Sequence, residues 1–159
     1  MLRRAILLSV VCGIGCQSPT DTAPVILLGP ESLDPIAYEM LSGFTKPARL
    51  VVRDADHWVV MWDQTYAGYS EAPPQPAVDF SSDMIVVAAL GDGRSSNSYL
   101  SIDRVVSRNG ALVVDVVERV PGPNCLVLEV TMTPVVMVRV PASLGRVVFK
   151  ERRRVFTCD

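Results

Sequence analysis

The sequence predicts a mainly β fold: an antiparallel sheet or small β-sandwich of about six to eight strands, with one amphipathic helix packed against it. Three observations carry this expectation. Valine recurs in pairs through the second half of the chain, and its branched side chain suits a pleated surface better than a helix. Asn109-Gly110 separates two apolar runs, and both residues tolerate the positive φ of a tight hairpin turn. Helical periodicity occurs convincingly in one segment alone, where Ala55, Trp58, Val59, Trp62 and Tyr66 recur at three- and four-residue steps.

Taken in chain order, residues 25–47 mix a short apolar run with turn residues. They predict irregular structure holding a brief strand and a single helical turn. "ARLVVRD", Ala48 to Asp54, predicts a strand that passes directly into the helix. Asp54 or Asp56 caps that helix, because a short carboxylate accepts bonds from the unpaired first amides. Gly68 is a natural stop. "EAPPQPAVDF" reads as a proline-rich loop entering an extended segment. "MIVVAAL", Met84 to Leu90, is a continuous apolar run, as in a strand buried on both faces. "YLSIDRVVSR" and "ALVVDVVERV" flank the Asn109-Gly110 turn. "CLVLEVTMTP", "VVMVRVP" and "RVVFKERRRVF" supply three further strands, punctuated by Pro134, Pro141 and Gly145.

The first residues read as a targeting segment. Arg3 and Arg4 precede an apolar stretch, Ala5 to Val11 with Ile14, which is too short to span a membrane as a folded helix. Gly13 and Gly15 stand three and one residues before Cys16, although such signals usually carry Leu where Gly13 stands. The pattern resembles a bacterial lipoprotein signal. It divides the chain into a signal peptide (residues 1–15), a flexible tether (16–24) and a single β-rich domain (25–159). Cys16 would carry the lipid; ordinary secretion with cleavage at the same bond is the alternative. Gln17, rather than Asp, after Cys16 favours the outer membrane over inner-membrane retention. "QSPTDTAP" is polar and aperiodic, as a tether should be.

The four cysteines fit an oxidising compartment. Cys12 leaves with the signal and Cys16 is acylated, so Cys125 and Cys158 remain as a pair. Their bond would tie the chain end to the body of the domain, the alternative being two buried free thiols. No Cys-x-x-Cys or Cys/His cluster accompanies them, so the spacing suits no zinc site.

Charge and motifs exclude several function classes. With 15 basic and 17 acidic side chains the formal net charge is −2, far from the balance of a nucleic-acid binder. "ALGDGRSSNSYLSI" carries glycines at 91 and 93, but no Lys follows them and the next segment has β character. A phosphate-cradling loop needs that Lys and a following helix. The stretch therefore reads as a hairpin loop in which Ser and Asn bond local backbone. Serine-hydrolase chemistry needs a base beside the nucleophile, and His57 is the sole histidine. It falls in the first helical turn outside the apolar stripe, as an exposed side chain. Asp54, Asp56 and Asp63 form a cap and a solvated helix face and lack calcium-loop spacing. Trp58 and Trp62, one turn apart, belong with Val59 to the core helix. "KERRR", Lys150 to Arg154, alternates faces on a strand and guards an edge against unwanted pairing. Docking of acidic lipid headgroups or of a partner is its alternative role.

Several segments together resemble one known family. "SGFTKPARLVVRDADHWVVMWDQ", "PAVDFSSDMIVVAALGDGR", "SYLSIDRVV" and "VTMTPVVMVRVP" stand in the order found in the C-terminal domain of PrcB, a protease-complex subunit. The resemblance runs from about Tyr38 to Cys158. Its most specific pieces are "VDF", Val78 to Phe80, the buried strand after it, and Gly91. Family members usually carry a Thr-Gly-Gly-Tyr-like step in the next loop. Here "SSNSY" replaces it, with Tyr99 kept and Asn97 able to supply a left-handed backbone position. The resemblance implies a non-catalytic accessory module that stabilises a surface protease.

The expectation is thus a non-enzymatic extracytoplasmic lipoprotein that binds a protein partner, without metal, cofactor or nucleic acid. Its contact loop would comprise Gly91, Arg94, Ser95, Ser96, Asn97 and Tyr99. Protease inhibition by that loop is the alternative. Intact-mass analysis of the mature protein is expected to show a chain beginning at Cys16 with added acyl mass. An unprocessed chain would overturn the lipoprotein assignment.

Overall fold

The computed structural model describes residues 25–29, 33, 35–93, 95–128 and 130–158. The expected signal peptide, the expected tether with Cys16, and Arg94 lie outside the described residues. The chain order is β1 (Val25–Leu28), β2 (Pro35–Glu39), β3 (Pro47–Val52), α1 (Ala55–Thr65), β4 (Asp83–Leu90), β5 (Tyr99–Arg108), β6 (Ala111–Pro121), β7 (Val135–Pro141) and β8 (Val147–Phe156). The fold is mainly β, with two four-stranded sheets ordered β1-β5-β6-β8 and β2-β7-β4-β3, and one helix.

The arrangement follows from the period of two along β4. Met84, Val86, Ala88 and Leu90 point into one core with Leu100, Ile102, Val105, Leu112, Val114 and Val116 of β5 and β6. Ile85, Val87 and Ala89 point the other way, into a second core with Trp58, Trp62 and Tyr66. β7 divides in the same way, with Val136, Val138 and Val140 on the inter-sheet side and Val135 and Met137 on the helix side. Sheet, sheet and helix therefore stack as three layers, and the central strands of the middle sheet, β4 and β7, are buried on both faces. This is why "MIVVAAL" shows no alternation. Each buried Val or Leu adds roughly 1.5–3 kcal/mol of apolar transfer.

The helix packs as one amphipathic element. Asp54, with extended backbone, caps it by accepting a 2.9 Å bond from the His57 amide. Its buried face is Trp58, Trp62, Thr65 and Tyr66. Trp58 Nε1 donates to the Pro76 carbonyl and Trp62 Nε1 to the Pro73 carbonyl, each at 3.0 Å. The indoles thus bury without an unpaired N–H and strap the proline-rich loop over the helix. Val59 corrects the expected core set, being 48% exposed, and Ala55 is exposed too. The stripe centres on Trp62 and runs through its i−4, i+3 and i+4 neighbours, which leaves Val59 on the solvent flank.

Other departures have topological causes. The Gly91–Tyr99 stretch is not a hairpin loop, because it carries the chain from one sheet to the other. β4 has β3 on one edge and β7 on the other, so β5 finds no edge there. "CLVLEVTMTP" forms no strand, since β6 is likewise flanked by β5 and β8. The pair β6/β8 is parallel, against the antiparallel expectation. β8 enters from β7 at the end where β6 begins, with Leu112 opposite Val147, so both strands run the same way. Residues 25–47 hold two strands, and no helical turn occurs among the described ones. Asn109 (φ 50°) and Gly110 (φ 73°) make the expected turn between β5 and β6.

Trp62→Ala is expected to cost about 3–5 kcal/mol in chemical denaturation, whereas Val59→Ala changes stability by no more than about 0.5 kcal/mol. Equal losses in the two variants would contradict the assigned helix face.

Candidate partner-contact surface

The two crossings between sheets that the sequence disguised as a hairpin and a strand meet at one end of the molecule. The first begins at Gly91, whose φ is +74° and whose added Cβ would come within 2.8 Å of the Lys46 and Pro47 backbone. The Asp92 amide donates to the Thr45 carbonyl at 3.2 Å, fixing the loop's start against the start of β3. Ser95 accepts a 3.0 Å bond from the Ser98 amide, and their hydroxyls lie 3.2 Å apart. Ser98 is buried. Tyr99 is partly exposed and its ring lies 6.2 Å from that of Phe156. Asn97 does not take the left-handed position, since Asn109 is the one non-glycine residue with positive φ among the described residues.

The polar side chains assigned to a partner are instead used within the molecule. Asn97 Nδ2 donates to the Leu126 carbonyl at 2.8 Å. The Ser96 hydroxyl accepts from the Leu128 amide at 3.0 Å. Together they hold the second loop, which follows β6. That loop is anchored from the other side as well. The Gly122 amide donates to the Phe156 carbonyl at 2.8 Å, and the Cys125 amide to Gly122 at 3.1 Å. Cys125 and Cys158 form the expected disulfide, with Cα atoms 5.1 Å apart and a sequence separation of 33.

What the two loops present outward is apolar. Leu126 is 87% exposed and Leu128 63%, with Val127, Val130, Val155 and Tyr99 exposed around them. Scattered apolar residues are ordinary on a surface, whereas Leu126, Val127, Leu128 and Val130 are all exposed within one braced loop. Of the sequence-derived residues, Gly91, Ser95, Ser96, Asn97 and Tyr99 do come together here, as the supporting frame. The leucines escaped the sequence reading because "CLVLEV" is a short apolar run, as a strand often is. The prolines at 121, 123 and 134 were the available signal against one.

The remaining polar clusters are committed to structure. His57 Nδ1 lies 2.8 Å from each Asp54 carboxylate oxygen, and the imidazole is largely exposed. The His57 amide, and then its side chain, hold the Asp54 carboxyl below its ordinary pKa. Glu39 accepts from the Tyr66 hydroxyl at 2.9 Å and the Tyr69 hydroxyl at 2.8 Å. Burial, and then Glu39, push both phenols above their ordinary range. A cleft between β2 and β5 contains Ser101, Asp103 and Arg119, whose guanidinium reaches the Ser101 hydroxyl at 2.6 Å and Asp103 at 3.4 Å. Among the described residues, no group of three or more His, Cys, Asp or Glu side chains is placed to hold a metal ion.

Comparison with protein-family models, with curated proteins and with solved structures finds no match to this chain.

Replacing Cys125 and Cys158 together by Ser is expected to lower stability by roughly 3–4 kcal/mol on loop entropy. Asn97→Ala should cost about 1 kcal/mol and speed amide exchange in residues 126–128 selectively. Unchanged exchange there would show that the two loops are not coupled.

Proposed function

We propose that this chain is a non-enzymatic, exported accessory module, lipid-anchored through Cys16, which binds a protein partner through the surface built on Leu126 and Leu128. It acts on the outer-membrane face or the cell surface. The observation that carries this reading is that two leucines stand in solvent while three devices brace their backbone: the Asn97 amide, the Ser96 hydroxyl and the Cys125–Cys158 bond. Displaying apolar area to water is unfavourable, and bracing it lowers the ordering cost of association.

The strand directions support the placement. Val25 of β1 pairs with Ser107 near the end of β5, whereas the contact surface lies where β5 begins. At about 3.3 Å per residue these ends of a ten-residue strand lie roughly 30 Å apart. A chain entering at Val25 from a lipid therefore points its contact surface away from the membrane. The resemblance to the PrcB C-terminal domain supports an envelope or secreted protease as the partner.

A second reading is favoured by one specific contact. The Asn97 amide holds the carbonyl of an exposed leucine directly beside a disulfide, which stiffens a convex peptide of the kind a protease cleft accepts. In that case the braced loop inhibits the protease.

Pull-down from envelope extracts with the mature chain tests the first reading. Leu126→Asp with Leu128→Asp is expected to reduce the retained partner at least tenfold without altering the fold. Leu144→Asp, at the opposite end, should leave it unchanged; equal retention by both variants would sink the site. Inhibition of a purified cysteine, serine or metalloprotease at micromolar concentration would select the second reading.

A further inference from the structure

The geometry points to a second binding site, the open edge of β8, which takes an extended protein segment bearing acidic side chains at alternate positions as a fifth strand of its sheet. The site adjoins the leucine surface at Val155, the far end of β8, but is argued from the strand edge and its cations and does not depend on that reading.

β8 is the terminal strand of its sheet and pairs with β6 over its full length, from Val147 opposite Leu112 to Phe156 opposite Pro121. No strand lies on its other edge among the described residues, and residues 150–155 are exposed. A ten-residue edge with unpaired backbone groups is a template for another strand.

The side chains decide which strand it accepts. In a parallel pair, residues in register share a face, so Lys150, Arg152 and Arg154 lie with Asp115, Val117 and Arg119 on the outer face. Val147 and Phe149 pack against the inter-sheet core, and Glu151 meets Arg49 of β3 at 3.1 Å. The outer face thus carries Arg104, Arg119, Lys150, Arg152 and Arg154 against two carboxylates, in a chain whose formal net charge is −2. Both carboxylates are engaged. Asp115 is buried beneath Arg104, at 2.8 Å, and Arg152, at 3.2 Å, while Asp103 takes Arg119. Lys150 and Arg154 make no ion pair among the described residues.

A surplus of three positive charges therefore lies along the outer side of an open edge. Lys150, Arg152 and Arg154 recur every second residue, about 7 Å apart, which is also the spacing of acids at alternate positions of an extended partner. A second copy of this strand is disfavoured, because pairing would set like charges opposite one another. The cations that prevent self-association thus select an acidic strand.

The experiment uses the mature chain and a fluorescein-labelled peptide of four Val-Glu repeats. Anisotropy is expected to show binding that weakens at least tenfold between 50 and 300 mM salt. Lys150→Glu with Arg154→Glu should weaken it at least tenfold with an unchanged melting temperature. The same peptide with alternate backbone nitrogens methylated should lose at least fivefold, because it cannot complete the ladder. Three results would each overturn the proposal: no binding of the Val-Glu peptide; equal binding of its methylated form; or tighter binding to vesicles containing one-third anionic lipid, which would assign the cations to a membrane.

Discussion

The two central strands of the middle sheet, β4 and β7, are buried on both faces, and most other features follow from that constraint. A strand covered on both sides must be apolar at every position, and β4 meets the requirement from Met84 to Leu90. Each face needs its own cover. The even-numbered residues are covered by β5 and β6, the odd-numbered ones by α1. Because β4 and β7 already fill the interior of their sheet, the chain cannot return beside β4 and has to cross to the second sheet. The crossings create the two loops that meet at the Asn97–Leu126 contact. The exposed leucine surface is thus a by-product of how the core closes.

Charge plays a complementary part on the outer sheet. Asp115 sits among apolar neighbours on β6 with little solvent access, where an unpaired carboxylate is costly. Arg104 from β5 and Arg152 from β8 approach it from the two flanking strands. Arg152 also stands opposite Val117 in register, and Val117 is fully buried although it lies on the outer face of the sheet. One carboxylate thereby ties three strands together across a face that carries no helix.

Much of the fold was legible because local and global preferences agree. Asn109-Gly110, the Asp54 cap and the β4 run each encode one structure through backbone sterics, hydrogen bonding or burial, whatever the distant neighbours do. The fold class was readable for the same reason, whereas the Cys125–Cys158 bond was readable as the pair left once Cys12 and Cys16 are assigned to the signal and the lipid. Failures fall where the deciding fact is non-local. Val59 fits the helical period, yet its exposure depends on where the sheet ends beneath the helix. "CLVLEV" has the apolar composition of a strand, but a strand needs an edge to join, and both edges of the preceding β6 are occupied. The candidate site was legible only as a frame. Ser96 and Asn97 announced a loop with bonding capacity, while the leucines that they support lie some thirty residues onward in sequence.

The parallel lie of β8 beside β6 bears on what the end of the chain does for the molecule. Its nearest predecessor, β7, belongs to the other sheet, so β8 reaches β6 by crossing over rather than through a hairpin. β8 supplies the second guanidinium of Asp115 and covers the edge of β6. Cys158, two residues beyond β8, locks that strand to the loop after β6 through Cys125. A chain shortened before Val147 would therefore lose the ion pair and the lock together, and leave a hydrophobic strand edge open to aggregation.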